Sequence, residues 1–235
     1  MSTIEIVFFD AGETIIRPYP SFPQLFEQIC RARGVEVRAD DVRAVQERLA
    51  PHLVDLAEDS GVSKPSLDAE DSRRFWTFLY ERFLAELGID DDTLPRELYA
   101  TFSASSSYKL FDDVRPVFAE LEERGYRLGL ISNFEGWLQQ ILVEQEVGES
   151  FDVTVISGVE GVEKPDPAIY HLAVERAGVH ARHCVHVGDS MALDVQPARE
   201  VGISAVLLDR VGRYPDPGCP TIASLKELPT LVSNL

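Results

Sequence analysis

Apolar residues along the chain fall into two alternating rhythms. Ile4-Glu5-Ile6-Val7-Phe8-Phe9 is short, rich in branched and aromatic residues, and nearly all apolar. Such a run predicts a strand buried on both faces, as in a parallel sheet. Four more runs share this character: Leu128–Ile131, Val153–Ile156, Cys184–Val187 and Ala205–Leu208. Helical patterns lie between them. Val117, Phe118 and Leu121 share one face of Val114–Glu123, and Trp137–Glu146 follows the second strand. Ile169, Leu172, Ala173 and Ala177 stay in register along Asp166–Ala177. There Asp166 is a candidate N-cap, Pro167 the first helical residue and Gly178 the stop. Ala192–Val201 ends at Gly202. Strands alternating with helices predict an α/β fold built on a parallel sheet.

One stretch breaks this rhythm. The chain between Asp10 and Ser132 is far longer than the ~12 residues a crossover requires, so it carries an insertion. From Tyr19 to Ser106 it reads as helices throughout. Phe22, Leu25, Phe26 and Ile29 make one stripe, and Val42, Val45, Leu49, Leu53 and Leu56 a second. Phe75, Trp76, Leu79, Phe83 and Leu87 make a third, and Leu94, Leu98 and Phe102 a fourth. The expected division is a core from residues 1–16 and 107–235, with a helical cap over 17–106. Arg17-Pro18-Tyr19-Pro20 reads as the outbound linker and Ser103–Ser107 as the return. Two adjacent linkers would make the insert a movable lid over the sheet's edge.

Composition narrows the function. Of 235 residues, 45% are hydrophobic and 26% charged, an ordinary globular balance. The net charge of −18 repels nucleic acid and anionic membranes, and an anionic substrate would need a local cation to overcome that field. No run approaches the ~18 apolar residues of a membrane span, and the N-terminus lacks the features of a signal peptide. Cys30, Cys184 and Cys219 are odd in number and scattered, which fits a reducing cytoplasm. Oligomeric state is left open.

Ligands of open parallel sheets bind at the carboxyl ends of the strands. The first strand ends in Asp10, followed by Ala11-Gly12-Glu13-Thr14, and the second ends in Ser132-Asn133. The third leads to Glu163-Lys164-Pro165, and the fourth ends in Gly188-Asp189-Ser190, with Asp194 just inside the next helix. The ends thus converge carboxylates, one hydroxyl and one ammonium. Clustered carboxylates repel one another unless a cation sits among them. An all-oxygen donor set without His or Cys favours Mg²⁺. A carboxylate can attack phosphorus and form an aspartyl-phosphate, which Mg²⁺, Lys164, Ser132 and backbone N–H groups would stabilise.

Phe8-Phe9-Asp10-Ala11-Gly12-Glu13-Thr14, Leu130-Ile131-Ser132-Asn133, Lys164-Pro165, and Gly188-Asp189-Ser190 through Asp194 occur in the order and spacing of the haloacid dehalogenase superfamily. The chain resembles its branch with a helical cap inserted after the first motif. The resemblance implies a Rossmann-like core and Asp10 as nucleophile. It implies Ser132, with Asn133, as the phosphate-binding motif and Lys164 as the neutralising cation. Mg²⁺ would be held by Asp10, the Gly12 carbonyl and Asp189, with Asp194 in support; Thr14 and Glu13, in the loop after Asp10, are further supporting candidates. The implied reaction is Mg²⁺-dependent hydrolysis of a small phosphorylated metabolite.

One departure matters. Family phosphatases carry a second aspartate, the general acid, two residues after the nucleophile. Here that position is Gly12, and Glu13 replaces the usual glycine beside it. Two other readings follow: a degenerate member that binds phosphate or a protein, and a dehalogenase or phosphonate-cleaving enzyme. The last needs a Schiff-base lysine in the cap, where Lys64 sits in a loop-like setting. His183 and His186 flank Cys184 with strand-like alternation and read as sheet-end packing. Cys30 reads as cap core. Arg73-Arg74, Asp40-Asp41 and Asp90-Asp91-Asp92 read as solvated surface.

Overall fold

A computed structural model describes residues 4–235, apart from the side chain of Val54. In chain order the strands are β1 (Ile6–Phe9), β2 (Ile16–Pro18), β3 (Tyr108–Leu110), β4 (Arg127–Ser132), β5 (Val153–Ile156), β6 (Cys184–Gly188), β7 (Ser204–Leu208) and β8 (Thr221–Ile222). Six of them form a parallel sheet in the order β5-β4-β1-β6-β7-β8. β1 is central. Connections run one way from it to β4 and β5 and the other way to β6 and β7, so the crevice at its carboxyl end is a topological switch point.

The continuous apolar run of β1 has a direct cause. Ile6 and Phe8 pack on one face with Ile169, Tyr170 and Ala173 of the helix Pro167–Ala177. On the other face the Phe9 ring meets Phe118 of the helix Val114–Glu123 at 5.0 Å, and Phe118 meets Phe151 at 5.3 Å. Both faces are covered, so every residue of β1 is apolar and buried. Gly129 in β4 lies under the Phe8 ring. A Cβ there would sit 2.4 Å from that ring's Cδ1 and 3.3 Å from the Val153 carbonyl oxygen. Gly129→Ala is therefore expected to cost roughly 1–3 kcal/mol by overpacking. The check is a urea denaturation midpoint lowered at unchanged slope.

The chain divides into two compact units: the described residues through Ile16 with Leu110–Leu235, and Arg17–Lys109. The second is helical. Its core gathers Phe26, Cys30, Val42, Leu79, Phe83, Leu98 and Phe102, with Phe22 stacked on Phe102 at 4.9 Å. Cys30 is buried there, as expected.

Two expectations need correction. The second apolar stripe is not one helix: Ala39–Leu49 gives way to a 3₁₀ turn at Ala50–His52, and a new helix runs over Leu53–Asp59. Pro51 cannot donate to the helical ladder and breaks it. Leu53 is consequently exposed while Leu56 stays buried. The expected outbound linker is also partly strand, since β2 takes in Arg17 and Pro18, while the return run Ser103–Ser107 closes in a 3₁₀ turn just before β3. Segments of both chain crossings, β2 and β3, form a two-stranded sheet. Tyr19 N–H donates to the Ser107 carbonyl at 2.8 Å and Phe111 N–H to the Ile15 carbonyl at 3.0 Å.

Candidate active site

Asp10 follows the last residue of β1 and is 7% exposed. Lys164, in the loop between β5 and the helix Pro167–Ala177, is buried and donates from Nζ to two carboxylates. The distances are 2.7 Å to Asp10 Oδ1 and 2.6 Å to Asp194 Oδ1. Residues 154 positions apart thus meet in one ion pair. Asn133, expected among the phosphate ligands, uses its side-chain amide to hold Lys164. Its Nδ2 donates to the Lys164 carbonyl at 2.8 Å, and Lys164 N–H donates to its Oδ1 at 2.7 Å. This two-point clasp sets the lysine's backbone at the end of β4. Ser132, the last residue of β4, is buried beside it.

Asp194 is placed by an unusual helix start. Residues Met191–Val195 form a π turn before the helix Gln196–Glu200. Pro197 has no N–H for the Leu193 carbonyl four residues back. The hydroxyl of Tyr170 donates to that carbonyl instead. The widened turn carries the Asp194 carboxylate over Gly188. A Cβ on Gly188 would lie 2.2 Å from Asp194 Cγ, so only glycine lets the carboxylate approach this closely. Asp194 accepts from Ser190 N–H at 3.0 Å through Oδ2 and hydrogen-bonds His186 Nε2 at 3.0 Å through Oδ1. With Lys164, three partners occupy it.

His186 corrects the sequence reading. It is wholly buried inside β6, edge-on to Tyr170 with ring centroids 5.5 Å apart, and it belongs to the charged cluster rather than to sheet-end packing. His183 is elsewhere, against Glu5. Arg213 was also missed. It lies in the loop after β7 and donates to Asp189 Oδ2 at 2.7 Å. Its neighbour Arg210 forks onto Asp113 at 2.8 and 2.9 Å and donates to the Thr14 carbonyl at 3.0 Å, bracing the nucleophile's loop. One signal would have found both arginines: the strand-end rule applied to the fifth run, Ala205–Leu208, as well as to the first four.

The remaining candidates lie in that loop. Thr14 is fully buried, and its Oγ1 has no hydrogen-bond partner among the described residues. Gly12 forms a single β-bridge with Ile16, and a Cβ there would meet nothing within 4 Å. Glu13 is exposed with φ +56°, the left-handed region where its side chain is disfavoured. Lys64 sits in an exposed loop of the helical unit.

The electrostatics follow from burial against pairing. Burial alone would lower the Lys164 ammonium, but Asp10 and Asp194 outweigh it and hold it well above the usual lysine range. Burial would raise Asp194, yet Lys164 and His186 hold its carboxyl well below the usual carboxylate range. Burial pushes the Asp10 carboxyl up; Lys164 pulls it back and the Asp194 charge adds to the rise. Asp189 is pushed up to about 7 by burial and by Asp194 and Asp10, against Arg213. An acid with a raised folded-state pKa contributes stability below its unfolded value, and that contribution is lost as pH rises through the folded one. For Asp189 the window runs from the ordinary value of 3.8 to about 7. In the absence of divalent cation, Asp189→Asn is therefore expected to raise the melting temperature at pH 8 by a few degrees. At pH 4 it should leave the temperature nearly unchanged. Parallel thermal scans check this.

A carboxylate oxygen from each of Asp10, Asp189 and Asp194 lies within 4.8 Å of the others. This is a hard-oxygen donor set of the kind Mg²⁺ takes, so the residues fit the ion. Among the described residues no helix is long and apolar enough to cross a membrane.

Comparison with known proteins gives the family. The haloacid dehalogenase-like hydrolase model matches residues 4–202. The haloacid dehalogenase-like hydrolase domain-containing protein 3 of Danio rerio is 35% identical over 208 residues, 87% of this chain and 84% of that protein. A phosphoserine phosphatase of Thermus thermophilus is 29% identical over 229 residues, 91% of this chain and 92% of that one. Among solved structures, the magnesium-bound putative HAD-hydrolase YfnB of Bacillus subtilis shares the fold with a TM-score of 0.76 at 18% identity, covering 98% and 99% of the two chains. A central β1 ending in a buried aspartate, a lysine bridging two carboxylates and a family match over most of the sequence lead to one conclusion: the chain is a hydrolase and belongs to the haloacid dehalogenase-like family.

Proposed function

We propose that the protein is a phosphatase that hydrolyses a small organic phosphate monoester, with Asp10 as nucleophile and Mg²⁺ as cofactor. The observation that carries this reading is the Lys164 ammonium, which ties Asp10 to Asp194 within a cluster of three carboxylates. A lysine so placed favours the ionised form of Asp10 against burial and orients it through Oδ1, leaving Oδ2 to attack. The similarity to a phosphoserine phosphatase supports the substrate class.

In this mechanism Asp10 Oδ2 forms a bond to phosphorus as the ester P–O bond breaks. The leaving alkoxide takes a proton from solvent. A water molecule then attacks the aspartyl-phosphate, loses a proton to solvent and releases inorganic phosphate with Asp10 regenerated. Lys164 neutralises charge on Asp10 and on the phosphoryl oxygens, and the Ser132 hydroxyl at the neighbouring strand end donates to them. Asp194 is occupied by Lys164, His186 and Ser190, so Asp10 and Asp189 would hold the metal with the Gly12 carbonyl. Bound Mg²⁺ supplies charge neutralisation for the phosphoryl group. The substrate is inferred to be a phosphorylated metabolite. The −18 net charge disfavours nucleic acid, and three unpaired cysteines suit a cytoplasmic setting.

The test is a panel of aryl and alkyl phosphates assayed for released phosphate with Mg²⁺ and with EDTA. Mg²⁺-dependent release supports the reading. Halide release from a 2-haloacid in EDTA, with no phosphate released, would replace it with a dehalogenase. Binding of phosphate esters without turnover would make the protein a non-catalytic member.

A further inference from the structure

Charge within the cluster is paired, and the pairing is uneven. Lys164 serves Asp10 and Asp194 and is inaccessible. Asp189 has a different cation, Arg213, whose side chain is 39% exposed. The backbone beneath that arginine is fixed. The Asp209 carboxylate accepts from Arg213 N–H through Oδ1 and from Tyr214 N–H through Oδ2, both at 2.9 Å. Arg213 therefore projects from an anchored turn while its guanidinium has solvent to move into. It touches Asp189 twice, at Oδ2 at 2.7 Å and, more loosely, at the carbonyl oxygen at 3.4 Å.

We propose that Arg213 is a tethered counterion for Asp189: it occupies the carboxylate while no divalent ion is bound and is displaced when one enters. The inference rests on the metal reading above and extends it to a residue outside the four motifs. A guanidinium and a divalent cation on the same carboxylate repel each other in a partly dry setting. The arginine is the one that can leave: its backbone stays anchored while its guanidinium, beside the Tyr214 ring at 5.7 Å, is partly in solvent. Affinity for the ion is then set by competition within the protein. The device keeps three clustered carboxylates from facing one another uncompensated between binding events. Arg213 does not touch the reacting atoms in this role; it is a positioning residue that acts through Asp189.

Isothermal titration of Mg²⁺ into the protein, without substrate, tests this. At pH 8.5, Arg213→Gln is expected to bind Mg²⁺ about three- to tenfold more tightly than wild type. Arg213→Lys, which keeps the charge, is expected to stay near wild type. In ¹⁵N spectra the Arg213 Nε–H signal, assigned by its loss in Arg213→Lys, should shift as Mg²⁺ saturates the wild type. Unchanged or weaker affinity in Arg213→Gln, while wild type binds the ion, overturns the counterion role and leaves the metal reading standing. An unmoved Nε–H signal at saturation does the same. No Mg²⁺ binding by wild type overturns both, and Asp189→Asn separates that case from binding elsewhere by showing whether any measured affinity depends on Asp189.

Discussion

Asp10→Asn is expected to reduce phosphate release by about 10³-fold or more while the fold survives. The amide matches the carboxylate in shape but is a far weaker nucleophile and a poorer ligand for a hard cation. The surroundings explain why folding tolerates the change. Lys164 retains Asp194 at 2.6 Å, so the buried ammonium keeps a carboxylate partner. Asp10 ionises against burial and against Asp194, so removing its charge relieves repulsion as it removes one contact to Lys164. The melting temperature of the variant should stay close to that of wild type. Steady-state phosphate release and a thermal scan on the same preparation decide the matter. Comparable turnover by the variant would remove Asp10 from the nucleophile's place.

Gly12→Asp is expected to raise turnover of alkyl phosphates by up to about 10²-fold, the low end for a positioned general acid. An alkyl ester leaves as a basic alkoxide and needs a proton in the transition state. An aryl ester leaves as a stabilised phenolate and needs little. Wild type should therefore favour aryl esters, and the variant should narrow the gap mainly by improving the alkyl ones. The backbone permits the change. Gly12 is outside the left-handed region, and a Cβ there meets no atom within 4 Å. Glu13 is a less suitable acid. It sits at φ +56°, a left-handed conformation that costs an L residue about 1 kcal/mol, and its side chain is exposed. The deciding measurement is the ratio of alkyl to aryl kcat/KM in wild type, Gly12→Asp and Glu13→Gln. Brisk wild-type turnover of an alkyl ester that disappears in Glu13→Gln would assign the acid to Glu13. No gain in Gly12→Asp with Mg²⁺ bound would point to a binding role.

The two variants probe opposite halves of one arrangement. Asp10, Lys164 and Asp194 form a buried, mutually satisfied set that resists reorganisation. Gly12 and Glu13 lie on the open side of the same loop, where space is available and proton transfer is unassigned. The balance sets an expectation for the protein as a whole: strong stabilisation of phosphoryl charge with weak assistance to the leaving group.

Hydrophobic period and the residues at strand ends make much of this protein legible in its sequence. The five apolar runs are β1, β4, β5, β6 and β7 because a strand buried on both faces needs a continuous apolar run, and that requirement is local. Asp10, Ser132 and Asp189 stand out because each marks where an apolar run stops. Contacts formed at long range are not legible in this way. β2 and β3 hold three residues each and β8 two, too few to show a period, and they exist through partners distant in the chain. Asn133 reads as a turn residue until Lys164, 31 positions away, takes both ends of its amide. His186 reads as strand filler until the π turn behind Pro197 brings Asp194 to its ring. Arg213 is one arginine among many until the turn held by Asp209 aims it at Asp189, 24 residues earlier. The sequence alone determined which chemistry this protein carries, because residue type and local period decide that. Tertiary structure decided which carboxylate each cation serves, because charges choose partners through space and not along the chain.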